Sequence, residues 1–248
     1  MPNLREDESS QDKSLLDQSE QLNHLLAILP ETDYARLAPY LRKVDLELGQ
    51  VLYEPAEPLD TVYFPNQAMI SLVQVMENGA TVEAGIVGND GMVGYGVYLG
   101  GQHDSSRAIV QIAGNAIALS ASVLKTEFDR GESLHTLLLR YTQALLAQIS
   151  QTAACNRFHP IEERLARWLL QSQDFAHSAT LHMTQDFVSS MLGTRRASVT
   201  VAAGTLQQAG LIHYNRGQIE ILDREALESA ACECYGTVKA EYNRLLNL

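Results

Sequence analysis

The sequence predicts an α+β protein in which a block of antiparallel strands is followed by a long helix and a helical C-terminal domain. Residues 44–123 contain short apolar runs such as TVYF and ISLVQV, which Gly, Asn, Asp and Pro interrupt at close intervals. This pattern is typical of a barrel or sandwich of short antiparallel strands. Residues 133–156 contain no Gly or Pro and one formally charged residue, Arg140. They therefore predict a single helix about 36 Å long.

Composition and charge narrow the class of protein. A hydrophobic content of 46% and a charged content of 19% over 248 residues are ordinary for a globular chain. The N-terminus lacks a secretory signal and no segment approaches the roughly 18 uninterrupted apolar residues of a membrane span, so we expect a cytoplasmic protein.

Residues 1–20 are polar and mostly acidic, which predicts a disordered leader. The apolar spacing of residues 22–41 predicts two short helices divided by Pro30.

The helix predicted over residues 133–156 carries apolar residues on more than one face. A helix that is buried on several sides needs a partner beyond its own domain. One interpretation is a core helix; the other, which we adopt as the expectation, is a helix that faces its twin across the two-fold axis of a homodimer. The residues expected at this dimer interface are Leu138, Tyr141, Leu145, Gln148 and Thr152.

Two helices joined by a tight turn are predicted after residue 183. Thr184 is the expected cap of the first helix, and Gly193 permits the sharp turn that follows it. The second helix begins near Arg195, and its apolar residues repeat at the spacing of one buried helical face. These residues are Val199, Ala202, Ala203 and Leu206. The arrangement is a helix-turn-helix, whose second helix lies in the major groove of DNA.

The segment LIHYNRGQIEILD, residues 211–223, predicts two short strands joined by a turn at residues 215–217. A helix-turn-helix followed by a hairpin is a winged helix. We place this domain at residues 157–226 and a helical tail at residues 227–248. Arg216, at the tip of the predicted wing, is positioned to meet a DNA phosphate.

The charge of the predicted DNA-binding domain differs from that of the whole chain. The formal net charge is −12, yet no acidic residue lies between Asp186 and Glu220, and this window contains Arg195, Arg196 and Arg216. Neutralisation of phosphate requires Lys or Arg. The window can therefore hold DNA, while the acidic remainder limits nonspecific association.

Several segments resemble the Crp/Fnr, or catabolite-activator, family of bacterial transcription regulators. QDFVSSMLGTRRASVTVAAGTLQQAGLI and RGQIEILDREAL resemble the family's winged helix, and PIEERLARWLL resembles the helix that opens that domain. LELGQVLY, LDTVYF and NGATVEAGIVGNDGMVG resemble its β-roll of cyclic-nucleotide-binding type. The resemblance covers roughly residues 22–226. It implies a β-roll sensor at residues 21–132, a dimerisation helix at residues 133–156, and a homodimer that binds a near-palindromic operator, with RNA polymerase as a candidate partner.

The resemblance also implies roles for individual residues in DNA binding. Arg196 matches the arginine that reads a guanine bidentately, and its neighbour Arg195 is expected to touch phosphate. Two positions depart from the family pattern, since Ala197 stands where Glu is frequent and Val201 where Arg is frequent. The operator is therefore expected to differ from the best-known one of the family. Val201 is a candidate for contact with a thymine methyl group. The full expected set of DNA-binding residues is Thr184, Arg195, Arg196, Ser198, Thr200, Val201 and Arg216.

The ligand cassette of the β-roll departs from the nucleotide-binding pattern. Relatives that bind cyclic nucleotides use a Gly-Glu pair for the ribose and an arginine for the phosphate. In residues 91–111 no Glu follows Gly94 or Gly96, and the one arginine is Arg107. Cyclic AMP is therefore not the expected effector. Two interpretations of Arg107 stay open: it binds another anionic ligand, or it is a solvent-facing strand residue. The candidate effector-binding residues are Gly94, Ser105, Ser106 and Arg107.

The sequence predicts no cofactor and no metal ion. An iron–sulfur cluster needs about four thiolates, but no cysteine precedes Cys155. Cys232 and Cys234 lie in the C-terminal tail, and two thiols alone favour a structural or incidental role over a metal or redox site. Haem stays open through three candidate ligands, which are His24, His103 and His135.

Two other functions compete with DNA binding. A cupin-like metal-dependent enzyme would need clustered His and carboxylate ligands on the strands, but His103 is the only histidine in residues 44–130. A dimeric adaptor that has lost DNA binding is the second alternative. The intact arginines at positions 195, 196 and 216 argue against it.

Overall fold

The computed structural model describes residues 23–101, 103–176 and 178–248. It confirms an α+β fold with an antiparallel N-terminal domain, a long helix and a C-terminal helical domain. The leader expected at residues 1–20 lies outside the described residues. Two short helices, α1 (His24–Ala27) and α2 (Glu31–Leu37), stand on either side of Pro30, as the sequence predicts.

The N-terminal domain contains two antiparallel sheets. Its strands, within the described residues, are β1 (Arg42–Leu46), β2 (Val51–Tyr53), β3 (Thr61–Pro65), β4 (Met69–Val75), β5 (Thr81–Val87), β6 (Arg107–Ile112) and β7 (Gly114–Ser120). The strand orders are β1-β7-β3 and β2-β6-β4-β5. In β3 the fully buried Val62 and Phe64 alternate with half-buried residues. This period of two directs one face of the strand into the core.

Strand β4 joins the two domains because both of its faces are covered. Ile70 and Leu72 pack into the core of the N-terminal domain, whereas Met69 and Val73 pack with the C-terminal helices. A strand covered on both faces has a continuous apolar run instead of alternation. The run MISLV in this strand therefore follows from contact with two domains.

The N-terminal domain ends with α3 (Ala121–Phe128), and α4 (Ser133–Phe158) follows it. Helix α4 continues two residues beyond the predicted end at residue 156. It stops where His159 takes an extended conformation, with ψ 142°, because a residue before proline avoids the helical region. Among the described helices, α4 included, none combines the length and apolar character needed to cross a membrane.

The C-terminal domain is a winged helix followed by two tail helices. Its elements are α5 (Ile161–Ala176), β8 (Thr180–His182), α6 (Gln185–Met191), α7 (Arg196–Gln208), β9 (Ile212–Asn215), β10 (Gln218–Ile221), α8 (Arg224–Ala230) and α9 (Cys234–Leu246). The strands form one antiparallel sheet in the order β8-β10-β9. The sequence predicts the hairpin of β9 and β10 but not β8, whose three residues are too few to show a period.

The residues predicted at the dimer interface lie inside the protomer, so this prediction chose the wrong face of α4. All five are buried, namely Leu138, Tyr141, Leu145, Gln148 and Thr152. Tyr141 Oη donates to the carbonyl oxygen of Met92 at 2.7 Å, and Gln148 Nε2 donates to Tyr242 Oη of α9 at 3.3 Å. Helix α9 returns along α4 and covers this face, which a reading of the chain in order does not anticipate.

Candidate DNA-binding interface

Thr184 and Gly193 fix the geometry of the helix-turn-helix. Thr184 Oγ1 accepts a hydrogen bond from the backbone N–H of Phe187 at 3.2 Å, which confirms the predicted cap of α6. Gly193 has a φ of +58°, and a Cβ atom at this position would lie 2.8 Å from Cγ2 of Val82 on β5. The left-handed backbone and the close approach both favour glycine. The turn between the helices thus rests on the N-terminal domain.

Helix α7 buries one face and exposes the other. The buried residues are those predicted from the spacing, namely Val199, Ala202, Ala203 and Leu206. The exposed residues include Arg195, Arg196, Ala197, Thr200 and Val201. Ser198 is half-buried. Val201 is 64% exposed, so the helix presents both cationic and apolar groups near its N-terminal end.

Arg196 and Thr200 have contacts within the helix-turn-helix. Arg196 Nη1 lies 3.4 Å from Oδ2 of Asp186 in an ion pair whose side chains are both mostly exposed. Thr200 Oγ1 donates to Gln185 Oε1 at 2.9 Å. An exposed ion pair contributes little stability, on the order of 0–1 kcal/mol. Arg196 can therefore leave Asp186 for a stronger partner at small cost.

The wing places Arg216 at the tip of a two-residue turn. Asn215 pairs with Gln218, and the two residues between them, Arg216 and Gly217, have φ values of +45° and +83°. Two consecutive positive φ values define a type I′ turn, whose twist suits a hairpin. Arg216 is exposed and forms no ion pair with the described residues. Its guanidinium is available to an external anion.

The candidate effector residues do not form a cationic pocket. Gly94 has a φ of +97°, and a Cβ atom there would lie 2.9 Å from Val62. Ser106 is buried, and Ser105 is exposed. Arg107 Nε donates to Glu54 Oε2 at 2.8 Å, with both side chains about one-third exposed. The guanidinium is therefore already paired with a carboxylate.

A second carboxylate lies beside this part of the cassette. Asp104 is buried, and its Oδ2 accepts a hydrogen bond from Tyr53 Oη at 2.9 Å. Burial raises the pKa of Asp104 above its usual range, against the hydrogen bond from Tyr53. A site that presents carboxylates around one paired arginine disfavours a phosphate ligand.

The histidines considered for haem lie on α1, in the loop before β6 and on α4. His135 is occupied by local packing: its ring stacks on Phe128 with 4.2 Å between ring centroids. Its Nδ1 lies 3.0 Å from the carbonyl oxygen of Phe128. These contacts support a packing role for His135.

The structure groups four residues that the sequence analysis did not connect. Cys155 and His159 from the end of α4 meet Cys232 and Cys234, with the ligand atoms within 4.8 Å of one another. A hydrogen bond from Cys232 lowers the pKa of the Cys155 thiol below its usual range, and the pKa of Cys232 is raised in turn. The available signals were the i, i+4 spacing of Cys155 and His159 and the Cys-x-Cys in the tail.

Comparisons with known proteins concern both the domain and the whole fold. Residues 163–230 match the Crp-like helix-turn-helix domain. The chain is 27% identical over 222 residues to the transcriptional regulatory protein btr of Bordetella pertussis, which covers 81% of this chain and 86% of that protein. FixK2 from Bradyrhizobium japonicum superimposes with a TM-score of 0.64 at 15% identity, covering 77% of this chain and 98% of FixK2.

A second solved structure has the same fold. It is that of a regulator of the Crp/Fnr family from Eubacterium rectale, with a TM-score of 0.62 at 16% identity, and the match covers 83% of this chain and 96% of that one. The matching proteins are transcriptional regulators and not enzymes. The cupin-like alternative is therefore rejected.

Proposed function

We propose that this chain, whose C-terminal domain matches the Crp-like helix-turn-helix domain, is a transcriptional regulator of the Crp/Fnr type that binds a near-palindromic DNA operator as a homodimer in the cytoplasm. One observation carries the proposal: α7 exposes two adjacent arginines at its N-terminal end, within a helix-turn-helix that is followed by a wing. The N-terminal residues of a recognition helix are those that contact base edges. Activation or repression would then depend on contact with RNA polymerase or on occlusion of a promoter.

The arginines have separate roles in this proposal. Arg196 reads a guanine through its O6 and N7 atoms after it leaves Asp186, which is worth about 1–3 kcal/mol of discrimination. Arg195 and Arg216 contact phosphates and position the protein without reading sequence. Val201, with its exposed methyl groups, packs on a thymine methyl. The other expected contacts are those of Thr184, Ser198 and Thr200.

The outer face of α4 supports the homodimer. Leu139, Leu146 and Ala153 are exposed and recur every seven residues, so they form one stripe along the helix. Leu146 is 59% exposed. Pairing of two copies through this stripe would bury these side chains. Successive major grooves require a separation of about 34 Å between the recognition helices.

The proposed effector of the β-roll is not cyclic AMP. A cyclic phosphate would have to displace Glu54 from Arg107, and the cassette offers no Glu after Gly94 to bind the ribose. Displacement of the partner would leave its carboxylate without compensation beside the incoming phosphate. A regulator with this cassette answers to another ligand or binds DNA without one.

Selection of bound duplexes from a random fragment pool, with and without cyclic AMP at fixed salt, tests the proposal. We expect one palindromic sequence to be enriched equally in both pools. Enrichment that requires cyclic AMP would contradict the effector proposal, and failure to enrich any sequence even at low salt would favour the adaptor function. Where Arg196 or Arg216 is replaced in the same selection, Arg42→Ala is the matched control. It removes one exposed positive charge from β1, outside the helix-turn-helix and the wing.

A further inference from the structure

Four side chains of types that ligate metals come from two parts of the chain and meet beside the start of the DNA-binding domain. Cys155 lies in the last turn of α4, and His159 is the first residue after that helix. Cys232 and Cys234 lie where α8 gives way to α9. One ligand atom of each residue lies within 4.8 Å of the others. All three cysteines are free and buried.

Two of the distances between these atoms are close to the edges of a tetrahedral metal site. Zinc bonds of about 2.3 Å to sulfur and about 2.0 Å to nitrogen imply roughly 3.8 Å between two sulfur atoms and roughly 3.5 Å between sulfur and nitrogen. The Sγ atoms of Cys155 and Cys232 are 3.5 Å apart, and Sγ of Cys234 is 3.5 Å from Nδ1 of His159. A disulfide would need about 2.05 Å.

Neighbouring side chains orient the ligands as in known metal centres. His159 directs Nδ1 at the sulfur atoms while its Nε2 lies 3.2 Å from Oε2 of Glu233. A carboxylate on the second ring nitrogen is the usual support of a metal-bound histidine, since it fixes the tautomer and the ring orientation. Gln151 Nε2 lies 3.1 Å from Sγ of Cys234, a donor that would stabilise a thiolate.

Two arginines complement the charge of a filled site, and of these Arg167 is buried and Arg164 half-buried. Three thiolates, a neutral imidazole and a divalent cation sum to −1. The positive charge of Arg167 acts on Cys155, and Arg164 interacts electrostatically with Cys155 and Cys232. Nε of each of these arginines is buried without a hydrogen-bond partner among the described residues, and the Arg167 residue is only 4% exposed. Buried guanidinium groups need compensating negative charge, which a thiolate-rich metal site would supply.

We propose that Cys155, His159, Cys232 and Cys234 bind one zinc ion. Three sulfur ligands and one nitrogen in tetrahedral arrangement favour zinc over harder cations, and four protein ligands leave no open position, as in structural zinc sites. The ion ties the tail to the hinge between α4 and α5. Its occupancy therefore sets how the winged helix is held, a regulatory consequence that rests on the proposed DNA-binding function.

Cobalt(II) titration of the metal-free full-length protein, under reducing conditions, tests the site directly. We expect one equivalent to give the visible bands of tetrahedral cobalt and thiolate-to-cobalt charge transfer, and zinc to displace it. Cys234→Ser and His159→Gln should abolish the bands, while His103→Gln, which changes an exposed loop histidine, should retain them. Glu233→Ala keeps all four ligands and should weaken zinc binding roughly 10–100-fold.

The outcomes separate the metal site from the DNA-binding function. Absence of the cobalt bands in a folded wild-type protein, or a disulfide between Cys155 and Cys232 in place of metal binding, would overturn the zinc site. Gel shifts on the selected operator should show weaker binding by the metal-free protein. Equal affinity of the two forms would overturn the regulatory consequence, whereas failure of both forms to bind any duplex would count against the proposed function and leave the metal titration intact.

Discussion

Glu83 provides a quantitative test of the junction between the two domains. Its carboxylate is buried between β5 and α5, where it accepts hydrogen bonds from Ser71 Oγ at 2.5 Å and from Trp168 Nε1 at 3.0 Å. Burial raises the pKa of Glu83 to about 7, while the hydrogen bonds and the charge of Arg167 oppose the rise. The usual pKa of Glu in an unfolded chain is about 4.3.

The raised pKa predicts a specific dependence of stability on pH. Between about pH 4.3 and pH 7 the folded protein keeps a proton on Glu83 that the unfolded chain has lost, so the free energy of unfolding falls as pH rises through this window. The pKa difference of about 2.7, at about 1.4 kcal/mol per unit, corresponds to roughly 4 kcal/mol over the whole window. Glu83→Gln removes the ionisation and retains an acceptor for Trp168. Relative to wild type, the variant should gain roughly 3 kcal/mol between pH 4.5 and pH 8.

Urea unfolding at several pH values, followed by tryptophan fluorescence, measures this difference. Trp168 is the only tryptophan of the chain and is fully buried against Glu83, so its emission reports on the junction itself. Glu77→Gln, in the exposed turn after β4, controls for the loss of one negative charge and should not change the pH dependence. If the free energies of unfolding of wild type and Glu83→Gln change equally from pH 4.5 to pH 8, burial does not raise the pKa of Glu83 and the prediction is refuted.

Four further predictions concern DNA binding, assembly and the domain contact. Arg196→Ala should relax preference at one base of each half-site by about 1–3 kcal/mol; an unchanged preference profile in a selection experiment would exclude base reading. Arg216→Ala should weaken binding to all duplexes alike and lower the salt slope by about 1, as measured by titration at several salt concentrations; a sequence-dependent loss would mean that the wing reads bases. Leu146→Glu should shift the dimer towards monomer in sedimentation velocity, and an unchanged sedimentation coefficient would place the interface elsewhere. Gly193→Ala should destabilise the protein by about 1–2 kcal/mol because residue 193 has a left-handed backbone, and further because the new Cβ atom would contact Val82. Val82→Ala should restore only the stability lost through that contact. A double-mutant cycle that shows no coupling between the two positions would refute the contact.

The local elements were largely predictable from the sequence. The period of 3.6 residues located α5 and α7, and the Asn-Arg-Gly turn located the wing, because these elements are specified by residues close in the chain. The face of α4 was not predictable. Leu138 and Leu145 occupy an apolar stripe that a twin helix could equally cover, and only the packing of α9 and the N-terminal domain against α4 shows that this chain covers it.

The same difference between residues close in the chain and residues far apart decides which site residues were predictable. The cap at Thr184 and the exposed arginines follow from spacing along one helix-turn-helix. The group formed by Cys155 and Cys232 joins positions 77 residues apart, and no periodic pattern links them. Pairing of distant residues depends on tertiary packing. The Cys-x-Cys of the tail and the i, i+4 pair at the end of α4 are therefore visible as separate signals, but the sequence does not show that they meet.

Strand β5 contacts the turn of the helix-turn-helix, α5 and α4. Val82 lies against the turn of the helix-turn-helix, Glu83 is hydrogen-bonded to Trp168 of α5, and the N–H of Ile86 donates to Gln148 of α4 at 2.7 Å. Packed interiors transmit displacement because they contain few voids. A shift of β5 by a fraction of an ångström cannot leave these contacts unchanged. Since α4 also carries the exposed stripe proposed for dimerisation, β5 contacts both the helix-turn-helix and the helix through which the proposed dimer would form.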